Sequence, residues 1–334
     1  MDFFEPGDFA LSSGITLVNA RLAYKTHGTL SAAKDNAILF PNFLGGTPEA
    51  LEVWIGEGRP LDPSKYFIIL PGQFGSAPSS SPSTTAAPFD RGAFPAVHIA
   101  DDVRVQHRLV TEKFGIQELQ LVLGWSVGAM QTYEWAVRFP GMVKRMASFA
   151  GGPRPSAWTK LWLHTAIEEP LTSDPHWNNG FYTDAQAVLT GMYRQAHATA
   201  LTVQPPGFYR EGAEGWRSLG FASIDDFISR FWATFWRSQD PNDVVAQARK
   251  ARSADPSAGG DLTAALSRIT AKALVVAFTG DPIFPPAECK ADADRIPHAQ
   301  FREIESVFGH LATFALSEQD KQAIDQALRE VLAN

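Results

Sequence analysis

The chain is poor in the residues that mark several common classes of protein. It has one cysteine, Cys289, in 334 residues, which excludes an internal disulfide and a cysteine metal cluster. Its eight histidines show neither an HExxH pattern nor paired Cys and His spacing, so neither a metal nor any other cofactor is expected. No apolar run approaches the ~18 residues that span a bilayer. There is no run of Lys and Arg, and a net charge of -7 with a pI near 5.6 argues against nucleic acid or an anionic membrane as partner. The start, MDFFEPGDFALSSG, has neither the basic residues nor the apolar stretch of a secretory signal. These absences leave a cytoplasmic protein that acts on a small molecule. Cys289 lies in the polar stretch PPAECKADADRI with no histidine beside it, the setting of an inert thiol.

The chain does have enough apolar residues, 45% of the total against 19% charged, to bury an active site. Short apolar runs recur at Ala37–Phe40, Tyr66–Leu70, Leu119–Leu123, Arg145–Ala150 and Ala273–Phe278, with a further strand-like segment at Gln300–Ile304. Their lack of alternation suits strands covered on both faces. Helical patterns at Asp101–Phe114, Val127–Phe139, Pro286–Ile296 and Glu318–Leu332 predict a mostly parallel sheet with helices on both sides. Phe9–Leu17 and Ala20–Thr26, with no helix between them, predict an antiparallel hairpin at the sheet edge. From about Pro153 to Ala265 no strand is evident, and six of the nine tryptophans fall there: Trp158, Trp162, Trp177, Trp216, Trp232 and Trp236. The chain thus divides into a core (1–152), an inserted helical cap (153–265) and the rest of the core (266–334). A cap at that point overhangs the carboxyl ends of the strands, where open α/β sheets bind ligands. The Ser- and Pro-rich stretch Gly75–Ser83 reads as a surface loop, or as the rim of a pocket.

Chemistry concentrates at one corner. In LQLVLGWSVGAMQTYEW a buried-strand pattern runs into Gly124-Trp125-Ser126-Val127-Gly128, and a helical pattern follows at once. Gly-X-Ser-X-Gly occurs by chance in roughly one chain in ten of this size, but between a strand and a helix it is the turn that lifts a serine hydroxyl to the top of a sheet. Such a hydroxyl needs a base, and the base needs a carboxylate to orient it. Asp281, in TGDPIFPP, follows the strand ALVVAF. His310, in ESVFGHLATF, lies on a C-terminal loop. Ser126, Asp281, His310 is the order found in α/β-hydrolases. An oxyanion hole is expected from the N–H of Val127 and from the loop Pro41–Gly46, with Phe43 as first candidate and Leu44 as second.

YFIILPGQFGSAPSSSP, FPAVHIADDVRVQHRLVTEKFGI, GWSVGAMQTYEW, TSDPHWNNGFY, TGDPIFPP and a final GH, in that order, resemble the homoserine O-acetyltransferase family of α/β-hydrolase enzymes. The resemblance spans about Leu17 to Phe314. It implies an acyl-enzyme on Ser126 with Asp281 and His310 as partners, Phe43 and Val127 amides as oxyanion donors, a cap over a deep tunnel, and a homodimer through cap helices. The pattern also departs from that family, whose acyltransferases read G-G-S at the elbow and G-H-D at the histidine, where the Asp faces the amino group of homoserine. Here Trp125 precedes the serine and Leu311 follows the histidine. An ammonium without a partner in a dry pocket costs several kcal/mol, so Leu311 disfavours an amino-acid acceptor, and Trp125 is expected to add apolar bulk beside the nucleophile.

Three readings follow. One is an esterase that transfers a short acyl group from Ser126 to water, the reading Leu311 favours. Another is an O-acyltransferase using acetyl-CoA, identical up to the acyl-enzyme. The last is a hydrolase fold without catalysis, which would require a broken set of Ser, Asp and His. Arg154, Arg210 and Arg217 lie within reach of a substrate carboxylate in the insertion, against the plainer reading of solvated surface.

Overall fold

A computed structural model of the chain describes residues 1–210 and 215–333; residues 211–214 of the expected cap lie outside the described residues. Eight strands form one sheet: β1 (Asp2–Ala10), β2 (Thr16–His27), β3 (Ala37–Leu39), β4 (Phe67–Pro71), β5 (Leu121–Trp125), β6 (Arg145–Phe149), β7 (Lys272–Phe278) and β8 (Gln300–Ile304). Their order is β1-β2-β4-β3-β5-β6-β7-β8. From β4 to β8 every pairing is parallel, and β1 and β2 add antiparallel strands at one edge. The central strands β3, β4 and β5 are buried along their whole length, as unalternating apolar runs require.

Helix α1 (Ile99–Arg108) precedes β5, and helix α2 (Val127–Arg138) joins β5 to β6. α2 is buried on eleven of its twelve residues, so it is a core helix rather than an amphipathic surface one. The final helix, Glu318–Ala333, packs on β6 and β7 through the periodic side chains Ile324, Ala327, Leu328 and Val331. Among the described residues no strand falls between β6 and β7, a stretch built from short helices and turns.

The edge hairpin forms, with different boundaries from those expected. Its turn is at Leu11–Ile15, closed by Leu11 N–H to Ile15 O at 2.8 Å, with Gly14 at φ 85°. The segment expected as the single strand Phe9–Leu17 is therefore two strand ends and the turn between them. The Ser-Ser-Gly run supplied the turn signal, and apolar Phe9, Leu11 and Leu17 on either side masked it.

The Ser-rich segment Gly75–Ser83 is not a surface loop. Ser79 and Ser81 are fully buried. Ser79 Oγ and Ser80 Oγ accept the Ala23 and Arg21 N–H groups of β2 at 3.0 and 2.9 Å. Asp243 then takes Ser81 Oγ, Ser83 Oγ, Ser83 N–H and Ala77 N–H on its two carboxylate oxygens at 2.8 to 3.0 Å. The serines act as donors and acceptors that finish a sheet edge, a role that composition cannot distinguish from solvation.

Asp243 belongs to the helix Pro241–Arg252, which reaches into the core from the strand-free stretch. Lys250 on the same helix is fully buried and lies 2.6 Å from Asp102 Oδ2 on α1, which is also fully buried. Its ammonium also donates to Gln73 Oε1 at 2.9 Å and to Phe74 O at 2.7 Å. Burial pushes the Asp102 carboxyl up to about 6, against the pull of Lys250. Removing one partner of such a pair strands the other in a dry interior. Lys250→Met should therefore cost about 3–5 kcal/mol in chemical denaturation, and Lys250→Met with Asp102→Leu should recover most of it. A double variant as unstable as the single would disprove the pairing.

Candidate active site

Ser126 sits at the junction of β5 and α2 with φ 54° and ψ -119°. Left-handed backbone is rare for a residue with a Cβ. It turns the chain so sharply that strand and helix nearly touch: a Cβ added to Gly124 would lie 2.3 Å from Gly128 C and O, and one on Gly128 would lie 2.5 Å from Pro41 O. The elbow is pinned by Ser126 N–H to Phe149 O at 3.1 Å and by Met130 N–H to Ser126 O at 3.2 Å. Ser126 is half-buried and lines a cavity. The first N–H groups of α2, beginning with Val127, have no carbonyl one turn back and end at the same place.

The structure brings Asp281 and His310 together although 29 residues separate them in the chain. Asp281 is buried in the turn after β7; its Oδ1 accepts the Ile283 and Phe284 N–H groups at 2.8 and 3.1 Å. Oδ2 is thereby aimed at His310 Nδ1, 2.8 Å away. A carboxylate only accepts, so Nδ1 carries the proton and Nε2 is left with a free lone pair. His310 is 7% exposed and stacks at 23° on Phe284. Its turn, Gly309–Phe314, is tied to the sheet side by Trp54 Nε1 to Thr313 O at 3.2 Å.

Ser126 and His310 line one cavity of about 50 Å³, room for a few heavy atoms by the measure in which one water takes roughly 10–15 Å³. Phe43, Leu44 and Val127 line it too, as do Leu311 and Phe314. Thr159, Trp162, Leu163, Thr199, Val203, Trp232, Phe235, Trp236 and Ala251 complete it from the strand-free stretch. No Asp, Glu, Lys or Arg is among the described lining residues. Thr159, Thr199 and Thr313 spend their hydroxyl protons on the carbonyls of Ile283, Gln195 and His310 at 2.9, 2.7 and 3.1 Å. The wall is therefore close to purely apolar, and Leu311, fully buried, is part of it.

Trp125 stands elsewhere. It is 1% exposed and packs under the sheet end against Phe40, Trp54 and Phe149, with ring centroids 4.6, 5.1 and 5.1 Å away. It supports Trp54, which holds the His310 turn, and it does not line the cavity. The side-chain alternation of β5 explains the difference: Trp125 shares a face with Leu121 and Leu123, whereas the turn throws Ser126 out of that pattern.

The two loop candidates for the oxyanion hole also differ. The Phe43 N–H is taken by Asn42 Oδ1 at 3.0 Å, whereas the Leu44 N–H has no protein acceptor among the described residues. Of the arginines, Arg154 is bound to Asp255 and Ser257 at 2.9 and 2.6 Å, Arg217 lies over Trp216, and Arg210 is exposed. None lines the cavity. Cys289 is buried and free, and burial pushes its thiol well up, which leaves it protonated. The aromatic wall Trp162, Trp232, Phe235 and Trp236 was not readable as such, because its side chains differ in no sequence feature from Trp177 and Trp216, which pack elsewhere.

A family model described as the alpha/beta hydrolase fold matches residues 42–314. The ethyl acetate hydrolase of Pseudomonas veronii is 41% identical over 331 residues, covering 98% of this chain and 94% of that protein. A homoserine O-acetyltransferase of Trichormus variabilis is 33% identical, covering 91% and 87%. Among solved structures, an acetylester hydrolase from Corynebacterium glutamicum superposes with a TM-score of 0.96 at 38% identity, covering 100% and 96%. The contact at the elbow carries its own test. Gly124→Ala should displace α2 from β5, lowering the melting temperature and the reactivity of Ser126 toward a serine-directed phosphonate; a variant labelled at the wild-type rate would mean that the close approach is dispensable.

Proposed function

The chain belongs to the α/β-hydrolase fold family, and from that premise we propose that it is a serine esterase that hydrolyses short acetyl-type esters through an acyl-enzyme on Ser126. The observation that carries this reading is the cavity wall at Ser126, chargeless among the described residues, taken with 41% identity to an ethyl acetate hydrolase. His310 Nε2 takes the proton of Ser126 Oγ as it attacks the ester carbonyl. Asp281, aimed by two backbone N–H groups, holds the imidazole in that tautomer and stabilises the imidazolium. The Val127 and Leu44 amides receive the developing oxyanion; Leu44 takes precedence over Phe43 because its N–H is free. His310 returns the proton to the leaving alcohol, and a water then repeats the sequence in reverse to release the acid.

The strand-free stretch serves as the cap of this site, supplying nine of the twenty lining residues. A few heavy atoms fill the space beside Ser126, which suits an acetyl group. Among the described residues no helix is long and apolar enough to cross a membrane. A cytoplasmic location and a homodimer through the cap belong to the same reading; Leu161 and Leu201, 54% and 80% exposed, are apolar side chains available for such a contact.

Transfer to homoserine is the second reading, favoured by the 33% identity to a homoserine O-acetyltransferase. Leu311 separates the two, because it places a methyl-rich wall next to the histidine and, among the described residues, no carboxylate lines the cavity to pair with an ammonium.

Purified protein should cleave ethyl acetate in water and should not acetylate homoserine from acetyl-CoA, with Ser126→Ala lowering ester turnover at least about 10⁴-fold. Acetyl transfer that outruns hydrolysis would overturn the esterase assignment, and undiminished turnover by Ser126→Ala would remove the nucleophile. Leu311→Asp should lower the melting temperature and bring homoserine acetylation above background; the absence of any gain would count against the ammonium argument.

A further inference from the structure

The oxyanion loop is held by side chains that no motif marks. Gln73 and Gln247, 174 residues apart, are both 1% exposed and meet behind Phe43–Gly45. Gln73 Nε2 donates to Phe43 O at 2.9 Å and to Gln247 Oε1 at 3.2 Å. Gln247 Oε1 also accepts the Gly45 N–H at 2.9 Å. The amide orientations are fixed by their surroundings. Lys250 has only protons to offer and lies 2.9 Å from Gln73 Oε1, so the nitrogen of Gln73 faces the loop. The Gly45 N–H can be met only by an oxygen, so Oε1 of Gln247 faces the loop as well. Gln247 Nε2 turns back to Asp243 O at 3.2 Å.

These bonds decide where the loop's own amides point. In a trans peptide the C=O and the following N–H project in opposite directions. Fixing Phe43 O against Gln73 therefore turns the Leu44 N–H away from the buried network. Gln131 Nε2 holds the preceding carbonyl, Asn42 O, at 3.1 Å. Gly45 has φ 74°, and a Cβ there would meet Gln239 Nε2 at 2.7 Å and Phe235 Cζ at 3.0 Å, so the loop is also pressed from the cap side. Three successive peptide planes are thus clamped between the core, through Gln131 and Gln73, and the helix Pro241–Arg252, through Gln247.

Resting on the esterase reading above, we propose that Gln247 and Gln73 are positioning residues for the oxyanion hole, fixing the Leu44 amide from opposite sides of the core–cap boundary, so that docking of the helix Pro241–Arg252 is a condition of catalytic competence. Neither side chain lines the cavity, so their effect on the reaction is exerted through the loop backbone. An amide donor counts in the transition state, where the carbonyl oxygen carries charge, far more than in the ground state.

The test measures kcat, KM and the inhibition constant of 1,1,1-trifluoroacetone, which adds to Ser126 as a tetrahedral oxyanion, using enzyme counted by active-site titration. Gln247→Leu should lower kcat on ethyl acetate by roughly 10²-fold, the effect of one displaced oxyanion donor, with KM little changed and trifluoroacetone binding weakened by the same factor. Gln247→Glu keeps an acceptor for the Gly45 N–H and should restore most of both losses. A role in packing alone would lower the melting temperature and leave kcat and inhibitor affinity of the titrated enzyme as in the wild type, and that result would overturn the proposal. Should the leucine variant not fold, Gln247→Asn, one methylene too short to reach Gly45, carries the same comparison with the same two outcomes. A wild-type protein that cleaves no acetate ester would sink the esterase reading itself, whereas an active wild type with an unaffected Gln247 variant would sink this inference alone.

Discussion

The left-handed backbone at Ser126 is the constraint around which the rest of the structure is arranged. Such a conformation costs a residue with a Cβ about 1–3 kcal/mol and persists only when its surroundings over-determine it. Here they do: the elbow's N–H and C=O are both bonded, to Phe149 and Met130, and Gly124 and Gly128 let strand and helix approach to a distance no side chain would permit. β5 is flanked by β3 and β6 and α2 is buried along almost its whole length, so neither partner of the elbow is free to relax. The strain is held by the sheet, and its product is a hydroxyl placed at the positive end of a helix.

The other groups at the site are fixed by the same logic of satisfied backbone. Asp281 is aimed by two amides before it meets His310, and the His310 turn hangs from Trp54, which rests on Trp125. Phe314 ends that turn and touches Phe43 at 5.2 Å and Phe231 and Phe235 at 6.4 Å. One ring thus joins the histidine turn, the loop Pro41–Gly46 and the strand-free stretch between β6 and β7. That stretch is held in two ways. Its helix Pro241–Arg252 is locked to the core by a buried ion pair and directional hydrogen bonds, which have one geometry. Its aromatic part meets the core by ring packing on Phe308 and Phe314, which tolerates many.

How much of this was legible in the sequence follows from what kind of signal each feature has. The parallel strands and α2 were readable because burial on both faces writes itself as a local apolar run, and Ser126, Asp281 and His310 could be picked out as candidates because each follows a strand at a turn. The hairpin boundary failed because apolar residues continue through its turn. Trp125 was misplaced because it follows the side-chain alternation of β5, whereas the turn throws its neighbour Ser126 out of that pattern. The buried serines of Gly75–Ser83 and the glutamines Gln73 and Gln247 left no local trace: their tertiary partners lie from 30 to 202 residues away, and in isolation a serine or glutamine looks like surface. Polar networks are the part of a fold that a single sequence hides best, because the pairing is their only signature.

That hidden part bears on the choice between water and another acceptor. The steps that make the acyl-enzyme need only the nucleophile, the base and the oxyanion donors, and these would be the same in an esterase and an acyltransferase. What differs is the final partner of the acyl group, and specificity for an amino acid requires a buried charge to be matched. Among the described residues the wall around Ser126 has no such charge, and its threonines have turned their hydroxyl protons to the backbone. Water, which is small and neutral, loses little on entering such a space, whereas an ammonium would lose its hydration with nothing to replace it. On the esterase reading, selectivity against an amino-acid acceptor would come from the absence of a partner, with Leu311 beside His310 as the side chain that sets it, since the fold and the elbow serine would be indifferent to which acceptor arrives.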